Sequence, residues 1–159
     1  MKKHIGICLI LLAVVALVAS LFGDSYRIRE SLRVEGVSLL SSRQEIIDSG
    51  WQISESSKEE SDEPIFVRGD SSLGVVFENN KATMLQGYVL LVDGNPLKAG
   101  DIRGQVFEQL GEPARQTKSR VDDSPIDSFE YSNFLGLPVA SLQISYNDNV
   151  IRGFSLRCK

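Results

Sequence analysis

Residues 100–113 read GDIRGQVFEQLGEP. Ile102, Val106, Phe107 and Leu110 recur at i, i+4, i+5 and i+8, which places them on one apolar stripe of a short helix. Asp101 stands where an N-cap is wanted, Gly111 fits the stop, and Pro113 prevents continuation. A helix with so narrow a stripe needs a sheet to bury it. The sequence on both sides supplies one.

Downstream, Ala114 to Asp127 is a polar loop and Phe129 to Tyr131 begins a sheet segment. Leu142, Ile144 and Tyr146 alternate with Gln143, Ser145 and Asn147, the period of a half-buried strand. Asn147-Asp148-Asn149 turns the chain, and Val150, Phe154 and Leu156 face inward on the last strand. Upstream, Ser42 and Glu45 have capping-box spacing before Ile46 and Ile47, and Gly50 ends that helix. Ile65 to Val67, Leu73 to Phe77 and Thr83 to Val92 read as strands, the last two joined through Glu78-Asn79-Asn80-Lys81. Asp93-Gly94-Asn95-Pro96 closes the segment. Trp51 and Tyr88 are expected in the core.

The two halves repeat one order: extended lead-in, capped helix, Gly stop, polar loop, short strand, and a hairpin with an Asn-rich turn. Ser42-Arg43-Gln44-Glu45-Ile46-Ile47 sits against Ile102-Arg103-Gly104-Gln105-Val106-Phe107, and Gln86-Gly87-Tyr88-Val89-Leu90 against Arg152-Gly153-Phe154-Ser155-Leu156. The separation is 60 residues at the helix and 66 at the last strand. The expected fold is α+β: a single N-terminal transmembrane helix, then an antiparallel sheet of roughly six or more strands with two short helices on one face. Its parts are an anchor or uncleaved signal over 1–23, a stalk over 24–35, and a domain over 36–159 with halves of about 36–94 and 95–159.

The segment from Gly100 to Pro113, followed after a loop by three strands, resembles the helix-plus-sheet unit of the SmpA/OmlA-like superfamily, which includes the tandem β-lactamase inhibitory proteins. The resemblance covers about Glu35 to Cys158. The first half departs from it at Gly50-Trp51, where Gly-x-Pro is the pattern. It implies a non-enzymatic domain whose sheet face binds another protein.

Ile5 to Phe22 reads IGICLILLAVVALVASLF behind Lys2 and Lys3. Eighteen helical residues span ~27 Å, close to a hydrocarbon core. The expectation is an uncleaved single-pass anchor in the inner membrane with the C-terminal domain extracytoplasmic. Arg27, Arg29 and Arg33 flank the far end, so orientation rests on the short N-terminal tail.

The chain has 159 residues and a formal charge of −4, which argues against nucleic acid as a partner. Its one histidine is His4, so no Ser-His-Asp or Cys-His arrangement arises in the domain. Cys8 and Cys158 are too far separated in setting to pair. Glu59, Glu60, Asp62 and Glu63 lack calcium-loop spacing and read as a solvated loop, as do Asp122 and Asp123. No metal, cofactor or catalytic residue is expected. The candidate protein-binding residues are Phe134, Leu135 and Leu137 in a Gly/Pro-punctuated connection, with Glu130, Gln143 and Ser145 on the sheet. The leading expectation is thus a membrane-anchored, non-catalytic protein-binding domain of the bacterial envelope: an inhibitor, immunity-type or assembly accessory protein. The alternatives are a structural accessory subunit of a membrane complex and a carboxylate-based hydrolase.

Overall fold

Each half of the chain opens with a tight hairpin, because both supply two consecutive residues at positive φ. Glu35-Gly36 (φ 54 and 83) joins β1 (Leu32–Val34) to β2 (Val37–Ser38), and Asp93-Gly94 (φ 49 and 84) joins β7 (Val89–Val92) to β8 (Asn95–Lys98). Positive φ at both central positions is what two-residue turns between twisted strands require. The computed structural model describes residues 31–57, 61–133 and 136–159. A short helix follows each hairpin, α1 (Arg43–Asp48) and α2 (Arg103–Leu110). Four strands follow each helix: β3 (Gln52–Ile53), β4 (Ile65–Arg68), β5 (Ser71–Glu78) and β6 (Lys81–Gly87), then β9 (Arg115–Lys118), β10 (Pro125–Ser132), β11 (Pro138–Asn147) and β12 (Val150–Cys158).

The strands form two antiparallel sheets, ordered β2-β1-β7-β8 and β3-β4-β5-β6-β12-β11-β10-β9. Both orders are symmetric about a central pair, β1–β7 and β6–β12, so a pseudo-two-fold axis relates the repeats. Hydrogen bonds obey it. Glu35 N donates to Val89 O as Asp93 N does to Ser31 O. Leu40 N and Ala82 N exchange bonds with Ala82 O and Ser41 O, as Gly100 N and Ile151 N do with Ile151 O and Asp101 O. A bulge at Val76/Phe77 matches one at Ser145/Tyr146. This register sets Leu85 against Phe154 in the repeat and Gly87 against Leu156, an offset of 69 residues. The sequence match of 66 therefore slips by three, because it aligned two glycines that do different jobs.

One face of the larger sheet meets α1, α2 and the smaller sheet in a single apolar cluster. Phe66, Leu73, Val75, Leu85, Leu142, Ile144 and Leu156 line the sheet side; Ile46, Val106, Val34 and Leu90 come from the cover. Each such side chain, fully buried, contributes about 1.5–3 kcal/mol. The helix starts differ in detail. Ser42 and Glu45 form the reciprocal box, with Ser42 N donating to Glu45 Oε2 at 2.7 Å. On α2 the N-cap is Ile102, whose N–H goes to Gln105 Oε1, while Asp101 accepts from Lys98 N and closes the preceding turn.

Several expectations change. Thr83–Val92 is two strands in two sheets, broken at Gly87-Tyr88. Asn95 and Pro96 belong to β8, on an edge that tolerates a missing N–H. The loop after α2 holds β9, whose Arg115 and Lys118 keep the sheet edge charged. The single sheet is two sheets. The single N-terminal transmembrane helix is corrected as well. Among the described residues no helix is long and apolar enough to cross a membrane, α1 and α2 having six and eight residues against the ~20 needed. Residues 5–22, on which that reading rested, lie outside the described residues, as does most of the 24–35 stalk.

Gly87 marks the place where the chain leaves one sheet for the other. A Cβ there would lie 2.7 Å from Glu35 Cγ and 2.8 Å from Val34 Cγ1, both in buried residues. At Gly74 the nearest atoms would stand at an ordinary 3.5 Å. Gly87→Ala is therefore expected to destabilise by about 1–3 kcal/mol and Gly74→Ala by far less. Urea midpoints of the two variants, compared with the parent, check this.

Candidate functional site

The uncovered face of the eight-stranded sheet carries a broad concavity lined by polar side chains. Strand register builds it. One row across the strands runs Ile65, Gly74, Gln86, Ser155, Gln143, Ser128. Two residues along, a second row brings Gly153, Ser145 and Ile126 into line. Glycines and serines make a low floor, and Gln86 and Gln143 rise from it two strands apart, about 10 Å by strand spacing. The trough encloses about 400 Å³, and among the described residues that line it none is charged. Charged residues are 24% of the chain, so their exclusion from twelve lining positions is a property of the site.

Tyr88 stands at one end, 55% exposed, and Ile65 at 44% near the other side. Tyr88 is exposed rather than buried because it continues the outward alternation of Gln86 just past the end of β6, while Leu85 takes the inward phase. Its backbone is fixed. The buried Glu35 carboxylate accepts from Tyr88 N at 2.8 Å and from Val89 N at 2.9 Å, and Tyr88 O accepts from Ala99 N at 2.7 Å. A non-glycine residue at positive φ, as Glu35 is, costs of order 1–3 kcal/mol. Capture of two otherwise buried N–H groups offsets that cost.

Gln143 and Ser145 line the trough; Glu130 and Leu137 do not. Glu130 faces the same side farther along β10 and is ion-paired with Lys159 at the surface. Leu137 is exposed at the β10–β11 connection, eight residues from Ser145 along one extended segment, about 26 Å. Phe134 and Leu135 lie outside the described residues. Among the described candidates, Leu137 thus stands apart from Gln143 and Ser145. Gln86, Tyr88, Ile65 and Ser155 were missed. The signal for the first two was their period-2 placement opposite Leu85, overridden by treating Tyr88 as core.

The carboxylate alternative pointed to adjacent acids such as Asp122 and Asp123. Asp122 and Asp123 sit in an exposed turn. Hydrogen bonds from Ser124 and Ser119, then Arg152, hold the Asp122 carboxyl well below its usual range, and Asp123 is 3.8 Å from Lys118. Among the described residues no three His, Cys, Asp or Glu side chains are grouped to hold a metal. Cys158 is a free thiol, its pKa pushed up by burial.

The most densely charged interior group is structural. Asp127, fully buried, accepts two hydrogen bonds from Arg103, one at 2.8 Å from Nε. The guanidinium lies 5.3 Å from the Phe107 ring centroid and 5.2 Å from that of Tyr146. The first repeat keeps the motif with different chemistry: Arg43 lies 4.8 Å over Phe77 and donates to Ser61 O at 2.6 Å. These sites pin helix starts to the sheet and have no opening to the trough.

No protein-family model matches the chain, and no curated protein matches it in sequence. Among solved structures it is similar to a DUF4309 family protein, YjgB, from Bacillus subtilis. The TM-score is 0.56 at 11% identity, covering 91% of this chain and 97% of that one. At that identity the likeness carries the fold alone. It lends nothing to a single-pass inner-membrane location, to a membrane-held protein-binding role, or to a protein partner. With no crossing helix among the described residues, those three expectations are withdrawn.

Arg103→Met leaves the Asp127 carboxylate buried without its cation and is expected to cost about 3–5 kcal/mol. Arg103→Met with Asp127→Leu should recover much of this; chemical denaturation of both variants tests it. Burial pushes the Tyr131 hydroxyl up to about 12, with Asp93 adding to the effect, and burial likewise raises Tyr146. An unfolded tyrosine ionises near 10, so the native state holds these protons longer. Stability is then full below pH 10 and declines as pH rises toward 12. The urea midpoint should fall across that window, less steeply in Tyr131→Phe.

Proposed function

We propose that this is a non-catalytic recognition domain whose ligand seats in the trough on the open face of the larger sheet. The carrying observation is the lining: amides, hydroxyls, an exposed tyrosine on a fixed backbone and no charge, in a chain of which 24% is charged. Pockets of about 300–1,000 Å³ with a few placed polar groups are the usual size for small ligands, and this trough is at the low end. Catalysis by general acid–base or nucleophilic routes needs groups that titrate or attack, and the lining offers serines without a base beside them.

Amide shift mapping with small neutral probes (phenol, acetamide and glycerol) tests this reading on the full chain. The expected result is a perturbed set concentrated at Gln86, Tyr88, Gln143, Ser145 and Gly153. Ser155→Trp should abolish it while leaving the thermal midpoint within a few degrees, since an outward strand position accepts an aromatic. Probes gathering elsewhere on the molecule, or an unchanged pattern in Ser155→Trp, would sink the reading.

A further inference from the structure

The chemistry of the trough narrows the ligand class further, on the footing of the recognition reading above. A sheet face has no free backbone to offer. The N–H and C=O groups of β5, β6, β12 and β11 are committed to their ladders, so an occupant is read by side chains alone. Peptides recognised by sheets characteristically add to an edge and use main-chain hydrogen bonds. Here the edges are the two-residue β3 and the charged β9, and the trough lies well inside them. Carboxylate or phosphate ligands call for arginine or lysine, and the described lining has neither.

What the trough does present is groups that donate and accept at once. Gln86 and Gln143 each carry a carbonyl acceptor and two N–H donors, Ser155 carries a hydroxyl that does both, and the Ser145 hydroxyl, which donates to Gly153 O at 3.4 Å, adds an acceptor. Their natural complement is a ligand made of neutral groups with the same double character, the hydroxyls of a sugar. Tyr88 adds a ring with one end apolar and the other polar, held on a backbone fixed by Glu35 and Ala99. Such a rigid aromatic loses little entropy when a sugar's C–H face settles on it. The glycine floor at Gly74 and Gly153 lets rings approach the sheet, and a Cβ at Gly153 would lie in tight contact, 3.2 Å, with the Gly87 carbonyl oxygen.

We propose that the trough binds an uncharged glycan, laid across the strands, with Tyr88 as the stacking platform and Gln86 and Gln143 as the amide brackets.

The test titrates the full chain with cellohexaose, maltohexaose and chitohexaose, with polygalacturonate as an acidic glycan and a Gly/Ser/Gln heptapeptide as a neutral peptide. Amide shifts and calorimetry provide the readouts. At least one neutral hexasaccharide is expected to bind and to shift Gln86, Tyr88 and Gln143. Tyr88→Ala should weaken it about tenfold, near 1.4 kcal/mol. Gln143→Ala should weaken it less, and both variants should stay folded because the altered side chains are exposed. Affinity should not change with salt, since no ion pair forms. The glycan proposal is overturned if none of the three hexasaccharides binds, if the peptide or polygalacturonate binds in preference, or if Tyr88→Ala leaves affinity unchanged. The small-probe map separates the failures: a trough that collects phenol and acetamide but no sugar keeps its recognition role and loses this ligand.

Discussion

Two strands that never meet in sequence order, β6 and β12, pair at the centre of the larger sheet, and that pairing holds the architecture together. Leu85 stands opposite Leu156 and Gly87 opposite Phe154, so the inward faces of both repeats continue into one another without a seam. Neither half has enough sheet to cover its own helix: each contributes four strands, two of them short in the first repeat. Joined, they give one sheet with one buried face, and the open face comes with it. The trough straddles this same junction, since Gln86 and Ser155 are cross-strand partners across it.

The second sheet adds a further constraint. The chain leaves β6 at Gly87 and enters β7 at Val89, and only a residue without Cβ lets Val34 and Glu35 approach from β1. The Glu35 carboxylate then takes the two N–H groups that the crossover would otherwise leave unbonded. A buried carboxylate is tolerated where hydrogen bonds replace water. The consequence reaches the surface: Tyr88, lodged between two strands of different sheets, has its side chain outside and its backbone immobilised. The exposed aromatic at the trough is thus a by-product of how two sheets are stitched together.

Local chemistry was legible in the sequence and long-range pairing was not. Ser42 and Glu45 announce a capping box because their partners are within one turn, and Asn79-Asn80 announces a hairpin because positive φ is a local demand. Gln143 and Ser145 could be placed on an outward face by period alone. By contrast, nothing local says that Thr83–Val92 changes sheets, because the reason lies 52 residues earlier at Glu35. The match of Gly87 with Gly153 failed for a similar reason. One glycine admits Glu35 and the other faces Gly87 O, and the sequence records only that both lack a side chain. Tyr88 was assigned to the core on residue type, although its phase relative to Leu85 pointed outward.

The pseudo-symmetry is kept inside and broken outside. Within the core, an arginine at each helix start covers the aromatic that follows each bulge, Arg43 on Phe77 and Arg103 on Tyr146, although one guanidinium finds a carbonyl and the other a carboxylate. These positions are held by packing, and packing needs the same shape in both halves. On the open face the axis exchanges Gln86 with Ser155 and Gly74 with Gln143, so an amide always faces a smaller group. A symmetric surface would read a ligand equally in either direction. Because the amides fall on β6 and β11, with Tyr88 at one end alone, the trough distinguishes the two ends of whatever lies in it. Divergence confined to outward positions is what a duplicated scaffold produces when its interior is constrained by mutual burial and its exterior is free to acquire a directional site.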